Sequence, residues 1–139
     1  VNLKIFFDSS AFAKRFVDED GTDRVEALCQ EADELGLSVL CAPEVASAMN
    51  RRVREKGLTR SEYIEIKKRI AKDVRDASII NLIPSVIQAS IDILEASPVR
   101  TLDALHIACA SEWGADSFVT ADKRQIAAAR KVGLRTKQV

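Results

Sequence analysis

The stretch that most restricts how this 139-residue chain can fold is Thr101-Leu102-Asp103-Ala104-Leu105-His106-Ile107-Ala108-Cys109-Ala110. It predicts a helix over 101–113 with apolar side chains on most of its faces, and such a helix belongs inside a core. Yet Asp103 sets a carboxylate into its first turn. A charge taken out of water needs something nearby to hold it. Three more acids have similar settings: Asp8 ends the apolar run 3–7, Glu44 follows Pro43 after the run 37–40, and Asp122 follows Ser117-Phe118-Val119-Thr120. Each falls at or just beyond the end of a predicted strand, or at the start of a helix. Carboxylates brought to one edge of a sheet repel one another unless a cation lies between them.

The rest of the chain supplies that sheet. Predicted strands over 3–7, 37–41, 78–83, 117–120 and 134–136 alternate with predicted helices over 11–17, 23–35, 43–56, 59–77, 84–96, 101–113 and 123–131. Gly36, Gly57, Gly114 and Gly133 read as helix stops, and Thr59-Arg60-Ser61-Glu62 reads as a capping box. This alternation indicates a layered α/β domain with a mainly parallel sheet. The length suits one domain, residues 1–139, with no linker or repeat to divide it. With 47% apolar and 30% charged residues the chain is not of the disordered class. No apolar run approaches the roughly 18 residues of a membrane span. The opening Val-Asn-Leu-Lys-Ile-Phe-Phe is too short for a signal peptide and has no small-residue cleavage site, although it begins on Val rather than Met. Cys29, Cys41 and Cys109 are an odd, widely spaced set, read as reduced thiols of a cytoplasmic protein rather than a zinc site.

In open parallel sheets ligands bind outside the carboxyl ends of the strands, where Asp8, Glu44 and Asp122 are expected and where the helix bearing Asp103 can reach. Hard oxygen ligands suit Mg²⁺, with Mn²⁺ as the alternative; such ions keep several waters and bridge to phosphate. They lower the pKa of water and neutralise charge on a leaving oxygen. No Walker loop, GxSxG, GxGxxG or HExxH offers a rival chemistry. Each acid taken singly also has an ordinary explanation, as a helix cap or as a charge favoured by a helix dipole.

Four motifs in order, Phe6-Phe7-Asp8-Ser9-Ser10-Ala11, Ala42-Pro43-Glu44-Val45-Ala46-Ser47-Ala48, Arg100-Thr101-Leu102-Asp103-Ala104-Leu105-His106-Ile107-Ala108 and Val119-Thr120-Ala121-Asp122, span essentially the whole chain. In these it resembles the PIN-domain nucleases, and most closely the VapC-type toxins of prokaryotic toxin–antitoxin pairs. The resemblance implies a three-layer α/β/α PIN domain with a twisted, mainly parallel sheet of four to five strands. It implies divalent-metal-dependent cleavage of RNA phosphodiester bonds, a homodimer, and neutralisation by an antitoxin protein laid across the site. The family's acidic metal ligands fall on Asp8, Glu44, Asp103 and Asp122, with Asp8 and Asp103 primary. Its small polar residues beside the metal fall on Ser9 or Ser10 and on Thr120, which would orient carboxylates or water.

The remaining candidates concern substrate. The net charge is zero, but residues 51–75 hold ten basic and four acidic side chains, and residues 121–139 six and one. Segregated charge of this kind suits a local phosphate-binding surface, and it equally describes the solvated face of helices. Arg51, Arg52, Lys67, Lys68, Lys123 and Arg124 are candidates for RNA backbone contact; Arg100 is a candidate for binding phosphate or pairing with a site carboxylate. His106, the only histidine, lies three residues after Asp103 and reads as a packing side chain, since metal-assisted hydrolysis needs no histidine base. Two other classes compete with the nuclease. One is a PIN-like module that binds RNA or protein without cutting, against which the intact acid set argues. The other is a phosphotransfer receiver, which would need an acidic pair where this chain has Asp8-Ser9-Ser10.

Overall fold

The computed structural model describes residues 2–139. Twelve elements alternate in the expected manner: β1 (Lys4–Phe7), α1 (Ser9–Ala13), α2 (Thr22–Glu31), β2 (Glu34–Ser38), α3 (Cys41–Arg54), α4 (Arg60–Asp76), β3 (Ser78–Ile80), α5 (Pro84–Ala96), α6 (Thr101–Trp113), β4 (Ser117–Thr120), α7 (Lys123–Lys131) and β5 (Thr136–Gln138). The strands form one sheet in the order β3-β2-β1-β4-β5, and all four pairings are parallel.

Side chains alternate across the strands and divide the interior into two cores. Ile5 and Phe7 of β1 and Val119 of β4 face Phe12, Val25, Val45, Met49, Ile66 and Ile70 from α1 to α4. Phe6 and Phe118 face the other way, onto Val86, Ile93, Ala104, Ile107, Ala108, Ala128 and Ala129 from α5, α6 and α7. Phe6 and Phe118 are register partners and stack at 5.9 Å between ring centroids. Helices on both faces of a parallel sheet make the three layers. Residues Asp103 to Ala110 of α6 are all buried, as its composition requires. The capping box on α4 forms in both directions, Glu62 N donating to Thr59 Oγ1 at 3.0 Å and Thr59 N to Glu62 Oε1 at 2.9 Å. The seam of α4 packs onto the first core through Ile66 and Ile70, joined by the partly buried Tyr63 and Val74.

The structure corrects several boundaries. Helix α1 stops at Ala13, β3 is only three residues long, and β5 begins at Thr136. Helix α3 starts two residues before Pro43, and Ala48, expected in its buried stripe, is exposed. The largest shift is at β2: α2 ends at Glu31 and the strand runs Glu34–Ser38, three residues earlier than expected. Gly36 therefore stops no helix. It lies inside the strand, opposite Phe6, and a Cβ there would come within 2.5 Å of Cζ3 of the Trp113 ring. The absence of a side chain lets the indole from α6 lie on the sheet, where it also meets Phe6 at 6.4 Å and carries Lys4 Nζ 4.5 Å from its ring centroid. No described helix is long and apolar enough to cross a membrane.

Candidate active site

The strand order places a switch in direction beside β1. From β1 the chain builds outward through β2 and β3, then returns to the opposite side for β4 and β5. Connections leave the carboxyl ends of β1 and β4 in opposite directions, and crevices at such points are the usual ligand sites of parallel sheets. Asp8 follows β1 and Asp122 follows β4, so both occupy this edge.

Asp8 caps α1, its Oδ1 accepting from Ala11 N at 2.9 Å. The Ser10 hydroxyl lies 2.8 and 2.9 Å from its two oxygens, and Thr120 Oγ1 donates to Oδ2 at 2.7 Å. The carboxylate is only 1% exposed. Burial pushes its pKa above the usual carboxylate value, and the bonds from Ala11, Thr120 and Ser10 only partly reverse that. Thr120 also accepts from Asp122 N at 3.1 Å, which ties the loop after β4 to the carboxylate after β1. Asp122 caps α7 through Arg124 N at 2.9 Å and meets the Arg124 guanidinium at 3.3 Å. Partial burial raises its pKa, but these bonds and charges outweigh that and hold it below the usual range.

Asp103 is buried in the first turn of α6. Its Oδ2 accepts from Arg100 N at 3.1 Å and its Oδ1 from Gln125 Nε2 at 3.0 Å. Glu44, in the first turn of α3, has one oxygen engaged: Oε1 lies 2.6 Å from Ser9 Oγ and 2.5 Å from His106 Nε2. Half-burial raises the Glu44 pKa, and the bonds from His106 and Ser9 more than reverse it. Glu44 and Asp103 line one cleft of about 380 Å³ together with Arg100, Thr101 and Leu102. The Arg100 side chain is exposed, with Nε 3.5 Å from Asp103 Oδ2, and its charge also favours the ionised forms of Glu44 and Asp122.

All four carboxylates thus lie around one edge, but not as a ready cage. Among the described residues, no three His, Cys, Asp or Glu side chains come close enough together to hold an ion. Asp8 is bound to Ser10 and Thr120, Glu44 to Ser9 and His106, Asp103 to Gln125, and Asp122 to Arg124. The donor chemistry still fits a hard divalent cation. Every candidate ligand is a carboxylate oxygen, those of Asp8 and Glu44 beside hydroxyls, and a buried charge such as Asp8 is one that a cation relieves. Mg²⁺ is commonly held by one or two carboxylates plus water and substrate phosphate, which needs no closed cage.

Other candidates fall elsewhere. Arg51 and Arg52 are exposed near the far end of α3, and Arg52 is taken up by Glu19 at 2.7 Å; Lys123 is exposed on the first turn of α7, at the same edge as Asp122. Lys67 and Lys68 are exposed on α4. Cys29, Cys41 and Cys109 are free thiols; burial pushes Cys29 up to about 11 and Cys41 up to about 12, so neither is a thiolate at neutral pH. Two residues that the sequence reading did not place at the site take part in it. His106 meets Glu44 rather than merely packing. Gln125 is polar yet lies on the buried face of α7 beside Ile126, Ala128 and Ala129, a signal that was available in the sequence.

An all-parallel sheet with helices on both faces and acids at its switch point puts the chain among the three-layer α/β/α domains. Residues 5–131 match the family model of the PIN domain, and the chain belongs to that family. Its fold is similar to that of several solved toxins and toxin–antitoxin complexes. VapC20 of Mycobacterium tuberculosis, a sarcin-ricin loop cleaving toxin, is 15% identical with a TM-score of 0.69, over 89% of this chain and 94% of that one. DNA-bound VapBC from Salmonella typhimurium is 13% identical with a TM-score of 0.70, over 98% of each chain. FitAcB from Neisseria gonorrhoeae is 13% identical with a TM-score of 0.70, over 95% of each. No curated protein matches the sequence.

Proposed function

We propose that this chain is a divalent-metal-dependent endoribonuclease and the toxin of a type II toxin–antitoxin pair. The observation that carries the reading is the setting of Asp8: a buried carboxylate at the switch point of a PIN domain, held by Ser10 and Thr120, with Glu44, Asp103 and Asp122 around the same edge. Asp8 and Asp103 would hold Mg²⁺, or Mn²⁺ in its place, with Glu44 and Asp122 reaching it through water. Such an ion, when bound, lowers the pKa of water and neutralises negative charge at phosphorus. The protein's own groups do the rest. Ser10 and Thr120 fix the rotation of the Asp8 carboxyl, and Gln125 and the Arg100 amide fix that of Asp103. Arg100 and Lys123, exposed at the rim, are placed to draw an RNA phosphate into the cleft, while Arg51 and Arg52 extend the basic surface.

Toxin–antitoxin complexes among the fold neighbours support an antitoxin protein as partner. A homodimer goes with the same reading: Ile83, Ile87 and Ile91, spaced one turn apart at and along α5, are 44%, 41% and 46% exposed and offer a second copy an apolar stripe. The nuclease reading is tested by incubating the whole chain with a mixed RNA pool, with Mg²⁺ and with EDTA, beside Asp8→Asn. Cleavage that requires both the metal and Asp8 is expected. RNA binding without cleavage would favour a silent PIN-like module, and equal cleavage by variant and wild type would expose a contaminant.

A further inference from the structure

The PIN-domain resemblance treats the helix around Asp103 as a carrier of one acid, but the structure gives that helix a second connection. His106 is 2% exposed in α6. Its Nε2 meets Oε1 of Glu44 in α3 at 2.5 Å, and Ser9 Oγ, from the first turn of α1, is 2.6 Å from the same oxygen and 3.2 Å from Nε2. A carboxylate oxygen only accepts, so serine and imidazole both donate to it and Nε2 carries the proton. The other ring nitrogen, Nδ1, is buried with no partner, and the imidazole and the Phe6 ring meet edge to face at 6.5 Å between centroids. An unpaired buried nitrogen is unfavourable. Packing alone would be served better by leucine, so what the imidazole adds at this position is its contact with Glu44.

We propose that His106 is a positioning residue for Glu44. With two donors on Oε1, the glutamate side chain is held in one rotamer, and Oε2, which has no hydrogen-bond partner among the described residues, is the oxygen left to serve the cleft shared with Asp103. The Ser9–Glu44–His106 triangle also ties α1, α3 and α6 together at the rim. This rests on the nuclease reading for its consequence in catalysis, though not for the contact itself.

The test uses the whole chain and four variants: H106L, which keeps bulk and removes the donor; H106Q, which returns a donor near the place of Nε2; E44A; and H106L/E44A. Titration calorimetry with Mn²⁺ on metal-free protein is expected to show H106L weakened by up to about 10-fold, the lower end of the loss seen when the partner of a metal ligand is removed, because Glu44 reaches the ion through water. H106Q recovers part of that loss, and H106L/E44A binds no worse than E44A because both changes remove the same contribution. On RNA, kcat falls and KM holds. In ¹⁵N–¹H spectra the Nε2 proton is protected from solvent in the wild type and exchanges rapidly in E44A. Unchanged Mn²⁺ affinity in H106L, losses that multiply in the double variant, or a glutamine no better than leucine would overturn the proposal. Should H106L fail to fold, E44A decides alone: an Nε2 proton that stays protected there has another acceptor, and the proposal is wrong. A chain that cuts no RNA, but whose Mn²⁺ affinity and Nε2 proton respond as expected, sinks the nuclease reading and leaves the positioning role intact.

Discussion

Asp8 and Glu44 are both acids at one sheet edge, yet their surroundings act on them in opposite senses. Burial raises the Asp8 pKa above 3.8. Between that ordinary value and its raised one, the folded chain keeps a proton that the unfolded chain releases, so stability falls as pH rises through this window and stays reduced above it. Glu44 lies below its ordinary 4.5, chiefly through His106 and Ser9 after the opposing effect of burial; its contribution is present above that value and lost as pH falls through the lowered one. Asp8→Asn keeps an oxygen to cap α1 and removes the buried charge. In EDTA at pH 7 its thermal midpoint is therefore expected above that of the wild type, with the gap closing as pH falls from the raised value to 3.8; added Mn²⁺ should raise the wild type and not the variant. A lower midpoint at pH 7 would mark Asp8 as a structural acid. The sequence made Asp8, Glu44, Asp103 and Asp122 legible because each sits beside a local signal, a strand end or a helix start. Their partners were harder to read. His106 and Glu44 are 62 residues apart, and Gln125 and Asp103 are 22 apart, so no local pattern announces either pair.

Among the elements, β2 shows how a local rule gives way to tertiary packing. A glycine after an apolar helical stretch reads as a stop, but Gly36 is needed where the Trp113 ring crosses the strand, and that ring comes from α6, 77 residues later in the chain. Gly36→Ala drives a methyl group into the indole and should lower unfolding free energy by about 1–3 kcal/mol, the usual cost of overpacking. Urea titration followed by the emission of Trp113, the only tryptophan, measures it. Trp113→Leu, with circular dichroism as the probe, should restore part of the loss in the double variant. An alanine at 36 that costs nothing would mean that the indole is free to move aside. Helix α6 was legible throughout, since its apolar faces admit only a central position, and so was α4, whose seam and capping box are both local.

Over the whole molecule, a neutral total hides a basic stretch at 51–75 facing an acidic remainder. Part of that positive charge is already committed: Arg52 to Glu19, Lys68 to Glu65, Lys72 to Asp76. If the uncommitted basic side chains of residues 51–75 contact RNA, the logarithm of affinity should fall with the logarithm of salt by about 0.7 for each phosphate engaged on a single strand. Filter binding of metal-free Asp8→Asn across a salt series gives that slope, and a flat response would remove the role from this surface. Alternating strands and helices made the sheet and its parallel sense legible, but not which strand lies at its centre. That strand is β1, and the Asp8 carboxylate that follows it is gripped by a hydroxyl 112 positions downstream. That grip therefore closes only once β4 has docked beside β1. A chain cut short before Thr120 would keep Asp8 but lose the hydroxyl that holds it, so distant halves of the sheet must meet before the edge is complete.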